Sequence, residues 1–363
     1  MSGGVPSVLL LVLILLVTNV VGSTLPTNTG PSLESQTSGD TCSHIQTRRE
    51  WRTLSALQKL DFIRAVKCLQ LRRPKHSSNS AVKNVWDELI ETHIDEAHKA
   101  HTVGQFLPWH RNYLRIYENL LRESCLYFGP LPFWDQGIDA DSLLPFLSSP
   151  IFHPILGFGG DGVPGTYALP IDPYATDPVR SSRLVRERYK GCVRTGPFAS
   201  LTLHLGPGLL VTDHCLTRDV AELFRPQVTS EAWSNALAQP TFEKFRLKID
   251  NFPIFPDVPS NFSELMPHET GHAIVGGDLT NFYTSPGDPL FYLHHANIDR
   301  VWWQWQQLDL ARLTDISGPA DVNNLNGPQV ALNTVMSFGT IAPNVTVGEM
   351  MNTALEPLCY SYA

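Results

Sequence analysis

The sequence predicts a mainly α protein: a four-helix bundle core with histidines at its centre, wrapped by long loops with little β structure. Three observations predict it. Apolar residues return at helical spacing in four segments that also carry histidine. Eight of the 13 histidines fall in two short windows, residues 93–110 and 268–295. Between those windows, residues 129–260 are frequent in Pro and Gly and keep no long helical period, which reads as extended loop structure over a core.

The chain has 363 residues, 42% of them apolar, enough for a sizeable core. Val8 to Val21 is an apolar run broken only by Thr18 and Asn19, followed by the small residues Gly22, Ser23 and Thr24. It is short for a membrane span and reads as the apolar part of a signal peptide. The expected organisation is a signal peptide over 1–23, a flexible leader rich in Thr, Ser, Pro and Gly over 24–40, and a single domain over 41–363. Export agrees with two sequons, Asn261-Phe262-Ser263 and Asn344-Val345-Thr346. It agrees also with six well-separated cysteines, which in an oxidising compartment form disulfides, although the sequence does not choose their pairing. The formal charge of −8 comes without a long single-sign block, so no nucleic-acid partner is expected, nor stable membrane association once the signal is cleaved.

Taken in order, the first helix is expected over Ser55–Leu71, with Leu57, Leu60, Phe62, Ile63, Val66, Leu69 and Leu71 as its apolar set. A second runs from about Ser80 to Ala100 and is broken at Gly104; Pro108 opens a third, where its missing N–H costs nothing. Helical patterning returns at His268–Ile274 and at Leu290–Leu308. The glycine-rich run Gly157 to Gly165 lacks the Gly-Lys-Ser/Thr ending of a phosphate loop and reads as a plain loop.

His268 and His272 are four apart, so a helix places both on one face, where they can chelate one ion. His93 and His101 are eight apart, about 80° out of phase on an ideal helix. They converge only if the helix ends or bends between them. His110 begins the next helix, and of the adjacent His294 and His295 at most one can join the same ion. Imidazole-only sets suit Cu, Zn, Fe or Ni. The run His268-Glu269-Thr270-Gly271-His272 also fits the H-E-x-x-H motif of zinc metalloproteases, with Glu269 as general base. That reading lacks a third ligand: Val275 and Asp278 occupy the positions of the extended motif, and the next glutamate is Glu349. It also leaves the first window unexplained. His98 and the five scattered histidines (His44, His76, His153, His204 and His214) read as surface or structural residues.

Longer stretches resemble the tyrosinase and polyphenol oxidase family in its short, secreted, fungal form. The segment from His93-Ile94-Asp95 through His101 to Phe106-Leu107-Pro108-Trp109-His110-Arg111 resembles the family's first copper motif. The runs Pro267–Gly277 and Asp288–Arg300 resemble the two halves of the second. Pro132-Phe133-Trp134-Asp135, Gly196-Pro197-Phe198, Cys215–Arg218, the opening Arg48–Trp51 and the closing Tyr360-Ser361-Tyr362 resemble further family stretches.

The resemblance implies a dicopper site in the bundle core, one copper on His93, His101 and His110 and the other on His268, His272 and His295. O₂ is the implied co-substrate. The implied reaction is ortho-hydroxylation of monophenols, oxidation of o-diphenols to o-quinones, or both, on a small phenol or a tyrosine-containing peptide, possible settings being pigment or secondary-metabolite pathways. It implies that Phe291 stacks by a copper ligand and walls the pocket. Glu264 is implied to hold a proton-accepting water, and Glu269 to occupy a position that tunes monophenol against diphenol activity. Asp299 and Arg111 are implied to pair across the site and orient ligands. Lys99 stands where some relatives carry a thioether-linked cysteine, so no such link is expected; Gln136 stands where the family often has a second tryptophan. Hemocyanin-like oxygen carriers use the same ligands and form the remaining alternative.

Overall fold

The structure, a computed structural model, describes Met1 and residues 41–171, 188–251, 265–322 and 324–363. The expected signal peptide and leader, the sequon at Asn261 and the candidate base Glu264 all lie outside the described residues.

Helix α1 spans Ala56–Leu69 and begins in a capping box, Ser55 accepting from the Gln58 amide while the Gln58 side chain accepts from Ser55. It buries Phe62, Ile63, Val66 and Leu69, while Leu57 and Leu60 of the expected apolar set lie exposed. Helix α2 spans Val85–Ala100. It starts five residues later than the apolar pattern suggests, for two reasons. Asn84 caps it by accepting from the Asp87 amide, and the buried Glu88 carboxylate takes the backbone N–H groups of Lys75, His76 and Ser77, which holds that segment across the helix start. Helix α3 spans Phe106–Cys125, with Pro108 inside its first turn, and ends at Leu126 in a left-handed conformation (φ 56°).

Among the described residues, the stretch read as loops contains three short α-helices. Helix α4 (Gln136–Ala140) is capped by Asp135, α5 (Ser230–Leu237) by Thr229 and α6 (Phe242–Ile249) by Thr241. The last two were not visible as periodic segments because each has only eight residues, too few for a helical period to stand out. Helix α7 spans Pro267–Val275 with proline at its first position; Gly276, at φ 71°, ends it. Helix α8 spans Leu290–Gln307. α3 packs against α1, α2 and α8, and α7 packs against α8, so the four histidine-bearing helices α2, α3, α7 and α8 form the core.

The strands among the described residues make four two-stranded sheets. One joins the two ends of the described chain: Gln46–Arg48 pairs in parallel with Tyr360–Tyr362. Disulfide Cys42–Cys359 closes the same junction, Cys68–Cys125 ties the ends of α1 and α3, and Cys192–Cys215 crosses the loop region. No helix among the described residues is long and apolar enough to cross a membrane.

Two buried ion-pair networks hold the bundle in register. Asp299 of α8 receives Arg111 Nε at 2.6 Å, Arg48 Nη1 at 3.3 Å and the hydroxyls of Tyr360 and Tyr362 at 2.5 and 2.6 Å. Arg48 also reaches Glu118 of α3 at 2.7 Å. Burial alone would raise the Asp299 carboxyl, but the charges of Arg111 and Arg48 outweigh it and hold it below the usual carboxylate range. Further along, Arg218 grips Asp288 through two bonds of 2.7 and 2.9 Å, and Asp288 accepts from the Leu290 amide at the start of α8. The neighbouring Thr217 donates its amide and hydroxyl to Asp278, just beyond the end of α7.

Removing one member of such a network strands the others as uncompensated buried charges. Asp299→Ala should therefore lower unfolding free energy by about 3–5 kcal/mol in urea titrations. A loss below about 1 kcal/mol, the range of an exposed pair, would contradict this account of the core.

Candidate dinuclear metal centre

The six histidines singled out in the sequence meet at the middle of the bundle. His93 lies on α2, fully buried, and its Nδ1 bonds the Tyr283 carbonyl at 2.8 Å. α2 ends at Ala100, and His101 leaves it in extended conformation (φ −127°), which resolves the phase difference between His93 and His101. The His101 ring turns back so that Nδ1 meets the Ala97 carbonyl at 2.9 Å. His110, on α3, makes the equivalent bond to the Phe106 carbonyl at 2.9 Å. Across the cavity, His268 and His272 share one face of α7, with Nδ1 held by Asp250 at 3.0 Å and by the Leu279 carbonyl at 2.7 Å. His295 comes from α8.

These bonds decide the tautomers. A carbonyl or carboxylate at Nδ1 takes the ring proton there and leaves Nε2 as a bare lone pair. The Nε2 atoms of His93 and His110 are buried and have no hydrogen-bond partner in the protein. His272 Nε2 stands 3.1 Å from His268 Nε2 and 3.2 Å from His295 Nε2. With acceptors at both Nδ1 atoms, the Nε2 atoms of His268 and His272 cannot bond one another, so this convergence suits a cation between them; His295 Nδ1 has no partner in the protein. His93, His101 and His110 likewise offer nitrogens within 4.8 Å of one another. The two sets face each other, with the rings of His110 and His295 stacked at 4.3 Å.

Burial favours the neutral form of His93, His101, His110, His272 and His295, the form that binds metal. It pushes His93 down to about 4. It also lowers His101, His110, His272 and His295 well below the usual histidine value, and neighbouring imidazoles add to the shift.

His294 stands beside the second set but has no nitrogen to give. Nδ1 meets Gln136 Nε2 at 2.8 Å, and Nε2 meets the His268 carbonyl at 3.0 Å. Gly271 makes this approach possible, since a Cβ there would lie 2.1 Å from His294 Cε1. The Gln136 amide thus occupies the family's tryptophan position as a partner of His294. His98 Nε2 bonds the Tyr283 hydroxyl at 3.0 Å, on the outer side of α2. Of the scattered histidines, His204 pairs with Asp87 and His214 with Asp278.

Phe291 stacks on His295 at 4.1 Å and lies 5.4 Å from His93. It is fully buried. Four positions before His295 is one helical turn back, which puts Phe291 beneath the ring. The aromatic side chain on the wall is Phe282, 4.9 Å from the His101 ring. The cavity, about 110 Å³, is lined also by His268, His272, Glu269, Asp250 and Leu279. Glu269 accepts from the Asn251 amide at 3.1 Å; burial and the adjacent Asp250 carboxylate push its carboxyl well above the usual range. The metalloprotease geometry is absent from this picture: the third nitrogen beside His268 and His272 belongs to His295. Lys99 pairs with Glu96 at 3.4 Å, on a side chain largely exposed.

Sequence reasoning missed Asp250 and Phe282. Neither lies in a histidine motif, and both reach the cavity only through tertiary packing.

Comparison with known proteins agrees with the geometry. Residues 83–308 match the common central domain of tyrosinase, well over half of the chain. A tyrosinase-like protein of Diaporthe leptostromiformis is 33% identical over 339 residues, 88% of this chain and 78% of that protein. Tyrosinase P of Aspergillus terreus is 30% identical, covering 88% of this chain and 93% of its own. The solved structure of a polyphenol oxidase from Thermothelomyces thermophila, 30% identical, superposes with a TM-score of 0.74 over 88% of this chain and 89% of that one.

The low basicity of these rings has a direct consequence for the metal-free protein. Their folded pKa lies below the unfolded value, so between about pH 6.5 and about 4 the unfolded chain binds protons that the folded one refuses. Stability of the metal-free protein should fall as pH drops through that window, as read by thermal melts at successive pH values. A melting temperature unchanged from pH 7 to pH 4.5 would contradict buried neutral rings. The matching central domain and the shared architecture, with two buried histidine clusters in the bundle, make this chain a member of the tyrosinase family.

Proposed function

We propose that this chain is a dicopper oxidase that uses O₂ to oxidise phenols, with one copper on His93, His101 and His110 and the other on His268, His272 and His295. The observation that carries the reading is the convergence of three Nε2 atoms at 3.1 and 3.2 Å beside a second buried set. Membership of the tyrosinase family selects copper from among the metals that imidazole sets accept. Bound copper would supply O₂ binding and the electron transfer that converts a phenol to a quinone.

The protein's own part is binding, orientation and exclusion of water. The carbonyl and carboxylate acceptors at Nδ1 hold the rings of His93, His101, His110, His268 and His272 in one tautomer, and Phe291 packs against His295 and His93. A phenol ring entering the cavity would pack against Phe282 and Leu279 with its hydroxyl toward His101, His268 and His272. Glu269 lies at the cavity wall and bears on the choice between monophenol and diphenol. Glu264 remains our candidate for the residue that holds a proton-accepting water.

We place the mature domain over residues 41–363, exported behind the apolar leader. Three disulfides and an exposed Asn344 in its sequon support that location. The substrate is a small phenol, tyrosine or a tyrosine-containing peptide, in fungal secondary metabolism or pigment formation.

Copper content of the purified protein, with oxygen uptake on a monophenol and on a catechol, tests this reading. About two coppers per chain and uptake reduced at least ~10²-fold in His110→Ala are expected, and the two substrates separate hydroxylation from diphenol oxidation. Reversible O₂ binding without turnover on either substrate would indicate a carrier. One zinc and no uptake would overturn the proposal.

A further inference from the structure

We propose that Asp250 is a positioning residue that ties the two metal sets together, one carboxylate oxygen orienting His268 and the other fixing the turn that carries His101. This rests on the dicopper reading and adds a residue outside every histidine motif.

Three observations converge on it. Asp250 Oδ1 accepts from His268 Nδ1 at 3.0 Å, while Oδ2 accepts from the Thr102 amide at 2.8 Å. Thr102 directly follows His101 and has φ 60°, a left-handed conformation that a β-branched residue rarely adopts unless its surroundings impose it. Asp250 is held in turn by a rigid element. It caps α6, its amide bonding the Arg246 carbonyl at 2.8 Å, and Phe245 of that helix stacks on Trp305 of α8 at 5.0 Å. Asp250 is 3% exposed, so these bonds form away from competing water.

The geometry asks one carboxylate to do two separable things. With His268 it makes a carboxylate–histidine pair that fixes the ring and strengthens its Nε2 as a donor. With Thr102 it holds a strained turn, and so determines where His101 points. Loss of Asp250 should weaken both sets, each through its own bond. Glycine adopts the left-handed conformation freely, so Thr102→Gly should relieve the second effect and leave the first.

Copper affinity of the full chain, read by competition with a chromophoric Cu(I) chelator, tests this without reference to turnover. His110→Ala leaves the second set to be titrated alone, and His272→Ala leaves the first. In both backgrounds Asp250→Ala should weaken copper binding about 10–100-fold. Adding Thr102→Gly should restore affinity in the His272→Ala background and not in the His110→Ala background. Asp250→Asn has the same shape and can accept from only one of the two N–H groups, so it should weaken one set and spare the other; it also covers the case in which the alanine variant fails to fold. Affinities within twofold of the parent in either background for Asp250→Ala, or in both for Asp250→Asn, would overturn the proposal. A parent chain that fails to hold two coppers would instead overturn the dicopper reading.

Discussion

The rest of the structure depends on keeping six imidazoles together in a buried core, with the Nε2 atoms of His93 and His110 unpartnered and those of His268, His272 and His295 turned on one another. Buried polar nitrogens without partners are costly, so the fold must hold them there against collapse and against protonation. For five of the six rings, all but His295, it does so through Nδ1. His101 and His110 use carbonyls four residues earlier on their own helices, a local device that comes with the helix itself. His93 and His272 use carbonyls of Tyr283 and Leu279. The short segment 279–283 therefore holds one ring from each set, and it places Phe282 on the cavity wall between them.

Charge fastens the helices that carry the rings. Arg111 follows His110 and Asp299 lies one turn after His295, so their 2.6 Å bond ties α3 to α8 directly beside two of the rings. Arg48, Tyr360 and Tyr362 add the paired terminal strands to the same carboxylate. Arg218 and Thr217 do the corresponding work at the other end, joining the loop region to the start of α8 and the end of α7. A single buried pair is weak evidence for stability. Here the Arg111–Asp299 pair joins two helices that carry different rings, while the Arg48 and Arg218 pairs anchor a terminal strand and the loop region to those helices.

Much of this was legible in the sequence where the determinants are local. Histidines four apart on a helix share a face, so His268 and His272 declared themselves. His101 could join His93 only if α2 ended early, and it ends at Ala100. The family stretches at Arg48–Trp51, Thr217-Arg218 and Tyr360–Tyr362 turn out to hold the ion-pair networks. What escaped depends on tertiary contact. The beginning of α2 is set by Glu88 drawing in the amides of residues 75–77, which no periodicity records. Helices α5 and α6 are too short to show a period. Asp250 lies 18 residues before His268 with no pattern between them. Phe291 lies 4.1 Å from the His295 ring, as a one-turn spacing on α8 allows.

The central claim is that two ions occupy these two sets side by side. Anomalous diffraction at the copper edge from crystals of the copper-loaded protein tests it most directly. The account predicts two peaks about 3.5–4 Å apart, one bound by His93, His101 and His110 and the other by His268, His272 and His295, with His294 uninvolved. A single peak, or one that draws His294 or Glu269 into its coordination, would contradict it.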